Sequence, residues 1–442
     1  MPVHPIESRY SYPSMYSLFT EERRLHLMLK VEAALAQVQA DLGVVPGHAA
    51  RQIAGGTEKV TLHRVREVEE RIGHDVMAMV QALSEASGDG GRYVHLGATS
   101  ADIVDTTWGL ILKEACGIIE ADLQALQGVL VELCEKYKAT PMMGRTHGQH
   151  ALPITFGFKA ALWLDEIHRH VLRLRELKPR LLVGKMSGAV GSFAGLGSSQ
   201  VQGLLMARLG LGEPLIASQV ISRDRIAEFV LWLALVAGTM DKIFREVRNL
   251  ARTEIKELEE PFKPEQVGSS TMPQKRNPRK SERICGLARV IKSYAFPALE
   301  DISLEHERDL TNSSVERTIL PEACLLTDYI LRQAAEILSG LRVYPENMQR
   351  NMAISMGLTG SEALMLKLTE RGLGRQEAHA LVRQAAWRAT DERRDFVSML
   401  REMKIFDYLT EEEVKEALDP YRYLGECVAI TEQVIQQTAR ES

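Results

Sequence analysis

Long proline-free stretches constrain this chain more than any other feature. Its sixteen prolines fall unevenly: none lies between Pro46 and Pro141, and none between Pro214 and Pro261. Proline inside a helix removes a backbone N–H and clashes with the preceding turn. Stretches of this length with apolar residues at a 3.6-residue period therefore predict long helices. Met28, Val31, Leu35, Val38 and Leu42 put one apolar face on such a helix. Thr20 can cap its start, Glu21 and Glu22 suit its first turn, and Gly43 can end it.

The same pattern predicts helices over Asp102–Lys138, Ala151–Leu177, Ile226–Glu260, Cys285–Phe296 and Leu320–Leu341. The section Phe229–Met240 is apolar all round, which predicts a place in the middle of a bundle. No run alternates convincingly as a strand; Arg92–His95 is the one short extended candidate. The expectation is an all-α protein of three helical domains, with a central bundle of long helices. The domains are read as 1–110 (N-terminal, helical), 111–350 (the long-helix bundle with a polar loop) and 351–442 (C-terminal, helical). Helices this long leave apolar stripes that one chain cannot cover, so self-association is expected.

Charge and composition narrow the function. The 442 residues carry 54 Lys+Arg against 59 Asp+Glu, a formal net charge of −5. Nucleic-acid coating needs a basic face, so a nucleic-acid partner is not expected. Aromatics at 6% argue against stacking platforms for single strands. The longest apolar run, Phe229–Met240, is shorter than the roughly 18 residues of a membrane span, so no membrane partner is expected. The start of the chain lacks the basic and apolar regions of a signal peptide. Cys116, Cys134, Cys285, Cys324 and Cys427 are odd in number and far apart, which predicts reduced thiols in the cytoplasm.

Three polar stretches interrupt the helices: His95–Asp102, Gly144–His150 and Gly268–Pro278. The last has Gly, Ser, Pro and Asn between two helical regions, and a long polar loop inside a domain is usually functional or disordered. Four positive charges fall in Lys275–Lys280, a candidate anion site in an acidic chain. His147 and His150 stand three apart, the spacing of ligands on one helical turn, but no HExxH or cysteine set accompanies them, and no metal or cofactor is expected. Together with His74-Asp75 these histidines favour acid–base work. Lys185–Ser192 superficially resembles a phosphate loop but lacks its GK[ST] ending, so a turn or tight packing is the better reading.

Gly268–Pro278, GSSTMPQKRNP, resembles the GSSxMPxKxNP signature of the fumarase/aspartase superfamily, and the other two stretches match its remaining signature regions in order. Within the superfamily the chain is most similar to the adenylosuccinate lyase family, over nearly its whole length. Arg9-Tyr10-Ser11, Gly73-His74-Asp75-Val76, Val94–Ser100, Gly144–Gly148 and His306–Arg317 carry the likeness. The resemblance implies a homotetramer whose pooled helices form a twenty-helix core, with active sites shared between subunits. It implies a small nucleotide substrate and β-elimination: adenylosuccinate to AMP and fumarate, and succinyl-carboxamide ribotide (SAICAR) to AICAR and fumarate, in purine biosynthesis.

Carried over motif by motif, Ser269 is the base, His147 the acid, and Glu282 orients and charges His147. Lys275 supplies the cation that a serine alkoxide needs, His74 joins the catalytic set, and Gly268 hinges the loop over substrate. Arg9, Tyr10, Asp75, His95, Thr99, Ser100, Gln219, Ser270, Arg276, Asn277, Arg308, Ser313 and Arg317 match substrate-binding positions. Thr99 and Ser100 can equally cap the helix that follows, and Arg308 and Arg317 can equally form structural ion pairs.

Three departures bear on this. Gly73 stands where many of these lyases have Arg, Gln274 where His is usual, and His150-Ala151-Leu152-Pro153 replaces HAEP. The last resembles 3-carboxy-cis,cis-muconate cycloisomerases, the alternative enzyme reading. Those lack a His at the position of His147, which favours the lyase. A non-catalytic structural relative is the third reading, disfavoured by the intact Ser269, Lys275, His147 and Glu282.

Overall fold

The computed structural model describes residues 4–441. Helix α1, Glu21–Asp41, begins where Thr20 Oγ1 accepts from Arg23 N at 3.2 Å, and Gly43 follows in the left-handed region. Met28, Val31, Leu35 and Val38 are buried along its inner face. Helix α2 is Asp75–Ala86 and α3 is Ser100–Tyr137, close to the span expected from periodicity. The other long helices are α4 (Phe156–Leu181), α5 (Asp224–Leu250), α6 (Arg279–Ser293) and α7 (Thr311–Ser339). Helix accounts for 69% of the chain, and the fold is all-α.

The differences from expectation have local causes. Helix α5 stops at Leu250 rather than Glu260, because Glu257 is buried against Arg145 and Asn351 and Leu258–Glu259 forms a short strand with Arg342–Val343. Helix α7 starts nine residues earlier than expected and runs through Pro321. The region expected as helix over Cys285–Phe296 is split between α6 and Ala295–Glu300. Gly88–Tyr93 is a 3₁₀ helix, so Arg92 and Tyr93 are not extended. Leu231 and Leu235 on α5 are exposed in the single chain, the latter at 56%, so Phe229–Met240 is not buried all round.

The main correction concerns Gly144–His150. It is neither a loop nor a helical turn but the end of an antiparallel hairpin, β1 (Pro141–Thr146) with β2 (Gln149–Thr155). His147 and Gly148 are the two connecting residues, with φ of 54° and 75°. Positive φ at both positions is the type I′ geometry, whose twist suits a two-residue hairpin.

The chain divides into two compact units. One comprises Met1–Gln124, Arg169–Asp241 and Ile284–Gln333; the other Ala125–His168, Lys242–Arg283 and Ala334–Ser442. Within the second, the C-terminal helices pack on their own cluster of Leu364, Leu368, Val382, Phe396, Met399 and Leu400. Among the described residues no helix is long and apolar enough to cross a membrane, and no disulfide joins the five buried cysteines.

Candidate active site

The expected site residues fall into two sets, one in each unit. The second unit holds His147, Ser269, Ser270, Lys275, Arg276, Asn277 and Glu282. His147 is exposed at the tip of the hairpin, and the hairpin is anchored from beneath. Arg145 donates to both oxygens of Glu257, at 2.6 and 3.0 Å, and Asn351 Nδ2 donates to the same carboxylate at 2.8 Å. His150, on the neighbouring strand, meets Ser355 Oγ at 2.6 Å. Burial and the Arg145 charge lower the pKa of His150, which favours its neutral form.

Gly268–Pro278 is an irregular loop before α6. Ser269 Oγ accepts from Thr271 N at 3.3 Å and Met272 N at 3.2 Å. Two N–H groups aimed at a hydroxyl oxygen favour its anionic form. Asn277 Nδ2 donates to Gly268 O at 3.0 Å and ties the two ends of the loop together. A Cβ on Gly268 would run into the Lys275 carbonyl, so the glycine is required by close backbone approach as well as by any hinge role. Arg276 pairs with Glu259 at 2.9 Å, while Ser270 and Lys275 are exposed. Glu282 lies in the first turn of α6, also exposed. Within the single chain no hydrogen bond or ion pair joins it to His147 among the described residues.

The first unit holds Arg9, Tyr10, His74, Asp75, His95, Thr99, Ser100, Gln219, Arg308, Ser313 and Arg317. His74 caps α2, its Nδ1 accepting from Met77 N at 3.4 Å. Asp75 receives Arg317 Nη2 at 2.7 Å, and Arg24 lies 3.5 Å from the same oxygen. Burial works to raise the Asp75 pKa, but Arg317, the Val76 N–H and Arg24 outweigh it and hold the carboxyl below its usual range. The ion-pair reading of Arg317 is therefore realised in this structure. Arg308 Nη1 donates to Gln219 Oε1 at 3.1 Å, and Gln219 Nε2 to Ala189 O at 3.0 Å. Arg9 ends the short helix Pro5–Arg9, and Tyr10 packs edge-on against Tyr329. Ser313 sits in the first turn of α7.

Asp102 organises the His95–Ser100 stretch. Its carboxylate accepts from Thr99 N at 2.9 Å, Ser187 N at 3.0 Å and Gly188 N at 3.1 Å, and pairs with the buried Lys185. Thr99 thus takes part in capping α3 through its backbone, leaving its hydroxyl available. The Lys185 stretch is a packed turn around this carboxylate. His95, at φ 62°, meets the buried Glu32 at 2.6 Å. Burial would lower the His95 pKa, yet the Glu32 hydrogen bond and charge carry it upward.

Two features lay beyond the sequence reading. Arg24 sits on an amphipathic helix beside Glu21, Glu22 and Arg23, where a charge reads as a solvated face. A buried triad also escaped notice: Arg223 donates to Asp105 at 2.8 Å and Glu316 at 2.7 Å, with Asn312 Nδ2 on Glu316 at 2.7 Å. Burial opposes the Arg223 charge, but Asp105 and Glu316 raise its pKa overall. The triad fixes the first turns of α7, which carry Ser313 and Arg317. No sequence signal links residues this far apart.

This fold and these motif positions place the chain in the class of all-helical lyases. The family model described as Lyase matches residues 8–292, and that described as Adenylosuccinate lyase C-terminus matches residues 357–434. Adenylosuccinate lyase of Pyrococcus abyssi (strain GE5 / Orsay) is 51% identical, over 98% of this chain and 98% of that protein. The enzyme of the same name from Methanothermobacter thermautotrophicus is 49% identical over 100% of both. The chain belongs to the adenylosuccinate lyase family. Among solved structures, a fumarate lyase from Mesorhizobium sp. BNC1 superposes with TM-score 0.89 at 34% identity, covering 97% of this chain and 98% of that one. A 3-carboxy-cis,cis-muconate lactonizing enzyme from Pseudomonas putida gives 0.89 at 37% identity and 99% coverage of both.

Proposed function

We propose that this chain cleaves adenylosuccinate to AMP and fumarate, and SAICAR to AICAR and fumarate, by β-elimination. The observation that carries the mechanism is the pair of loop N–H groups on Ser269 Oγ. A serine alkoxide is costly in water, and backbone donors together with a cation, the role read for Lys275 of the same loop, lower that cost. Ser269 removes the proton from the carbon beside a substrate carboxylate. Surrounding donors hold the resulting carbanion as an aci-carboxylate. His147, presented at the hairpin tip, protonates the leaving nitrogen. Each acid–base step of this kind is worth about 10²–10⁴-fold.

Because His147 and Glu282 are exposed and unlinked in the single chain, the reading includes a homotetramer in which they meet across subunits. The exposed Leu162, Leu231 and Leu235 on the long helices support self-association. His74, Asp75, Ser313 and Arg317 are read as the phosphate end, and His95, Thr99, Ser100, Gln219 and Asn277 as succinyl or nucleotide contacts. Ultraviolet-monitored cleavage of adenylosuccinate, with carboxymuconate as the control substrate, tests the assignment. Turnover of carboxymuconate alone would replace it with the cycloisomerase reading.

A further inference from the structure

Beneath the Gly268–Pro278 loop lies a cavity of about 1090 Å³ with an unusual charge balance. Among the described residues its only carboxylate is Glu259, whose side chain is nearly buried. Lys256, Arg276 and Arg342 all converge on that one group. Four further cations line the same walls: Arg248, Arg252, Lys263 and Lys275. Among the described residues none of these four has a carboxylate partner. Cations at a helix C-terminus complement its dipole, which accounts for Arg248 near the end of α5. It does not account for seven cations around one acid in a chain of net charge −5.

The cavity meets the assigned site through Lys275, Arg276 and Asn277, but not through the acid–base groups. Neither His147, Ser269, Ser270 nor Glu282 lines it. The loop contributes Met272–Pro278 to the wall, so the cavity and Ser269 belong to one loop although Ser269 does not line the cavity. We propose that this cavity is an anion site adjoining the assigned one, binding a small polyanion that carries several linked phosphates. Clustered guanidinium and ammonium groups in a concave site focus positive potential and make charge-assisted hydrogen bonds to phosphate oxygens. A polyphosphate there occupies Lys275 and Arg276, which the catalytic reading assigns to the reaction and to substrate binding. Occupancy therefore inhibits cleavage, a consequence that rests on the reading of Ser269 and Lys275 above; the binding itself does not.

The experiment uses the full-length protein and inorganic tripolyphosphate. Calorimetric titration of the parent is compared with Arg252→Gln/Lys263→Gln, two exposed residues outside the assigned catalytic and substrate set. Binding by the parent, weakened about tenfold or more in the double variant and weakened further by salt, is the expected result. The charge-keeping Arg252→Lys/Lys263→Arg variant retains binding, and both variants keep the parent's kcat and KM for adenylosuccinate. Equal binding by parent and Gln variant places tripolyphosphate elsewhere and overturns the proposal, as does no binding by the parent. Inhibition of the Gln variant by tripolyphosphate to the same degree as the parent also overturns it. Loss of adenylosuccinate turnover in the parent would instead refute the catalytic reading and leave the binding result standing.

Discussion

Arg145 grips Glu257 through two parallel hydrogen bonds, with Glu257 wholly buried, and this pair fixes the hairpin that carries His147 at its tip. Fork-to-carboxylate geometry gives direction as well as attraction, so the strand bearing Arg145 cannot slide or rotate. Removing one partner of a buried pair leaves the other charge uncompensated and costs about 3–5 kcal/mol. Glu257→Gln should lower the urea midpoint by a corresponding amount. It should also reduce kcat more than it raises KM, since what moves is the acid. A variant with unchanged stability would contradict the anchoring role.

The loop makes a second prediction. A Cβ at Gly268 meets the Lys275 backbone carbonyl, which no rotamer change relieves. Gly268→Ala should displace Ser269 and Lys275 and cut kcat by about 10²-fold, because misplacement by an ångström costs that much. Global stability should hardly change, since the residue packs against loop rather than core. Near-parent turnover would show that the loop geometry is not needed for activity.

Arg24 and Arg317 share the Asp75 carboxylate, and burial together with Arg317 lowers the Arg24 pKa. Two guanidiniums on one carboxylate leave positive charge for an anion. Arg24→Gln should raise KM for adenylosuccinate about tenfold with little change in kcat, the mark of lost ground-state binding. A fall in kcat at constant KM would point to a different role.

Asp122 and Asp328 lie together with Arg332, which donates to Asp328 at 2.7 Å and lies 3.2 Å from Asp122. Burial and the neighbouring Asp328 raise the Asp122 pKa to about 8. Its folded value thus exceeds the unfolded one, near 3.9. The associated stability is present below that unfolded value and is lost as pH rises through 8. Asp122→Asn should therefore flatten the pH dependence and melt a few degrees above the parent near pH 9. Parallel melting curves across this window would count against a shared proton.

Much of the helical frame was legible because it is written locally. The apolar period of Asp102–Lys138 gave α3 to within a few residues, and Thr20 and Gly43 marked the ends of α1. The β1–β2 hairpin was not, since its short strands alternate poorly. Its one local signal was the His147-Gly148 pair, as His and Gly both tolerate positive φ. The expected length of α5 failed because absence of proline permits a helix without requiring one. The candidate site residues were singled out as motifs, but the partners the fold gives them were not. Glu257, Glu316 and Arg24 act across separations that only the fold closes.

His147→Ala and Ser269→Ala, each inactive alone, should regain partial activity when mixed under subunit exchange, if sites are shared between copies. No recovery, with exchange demonstrated, would contradict sharing.

The most direct test of the central claim is the steady-state cleavage of adenylosuccinate by Ser269→Ala. If Ser269 is the base, KM stays near the parent value while kcat falls by at least about 10²-fold, the low end for a lost acid–base group. A kcat near that of the parent would contradict Ser269 as the base.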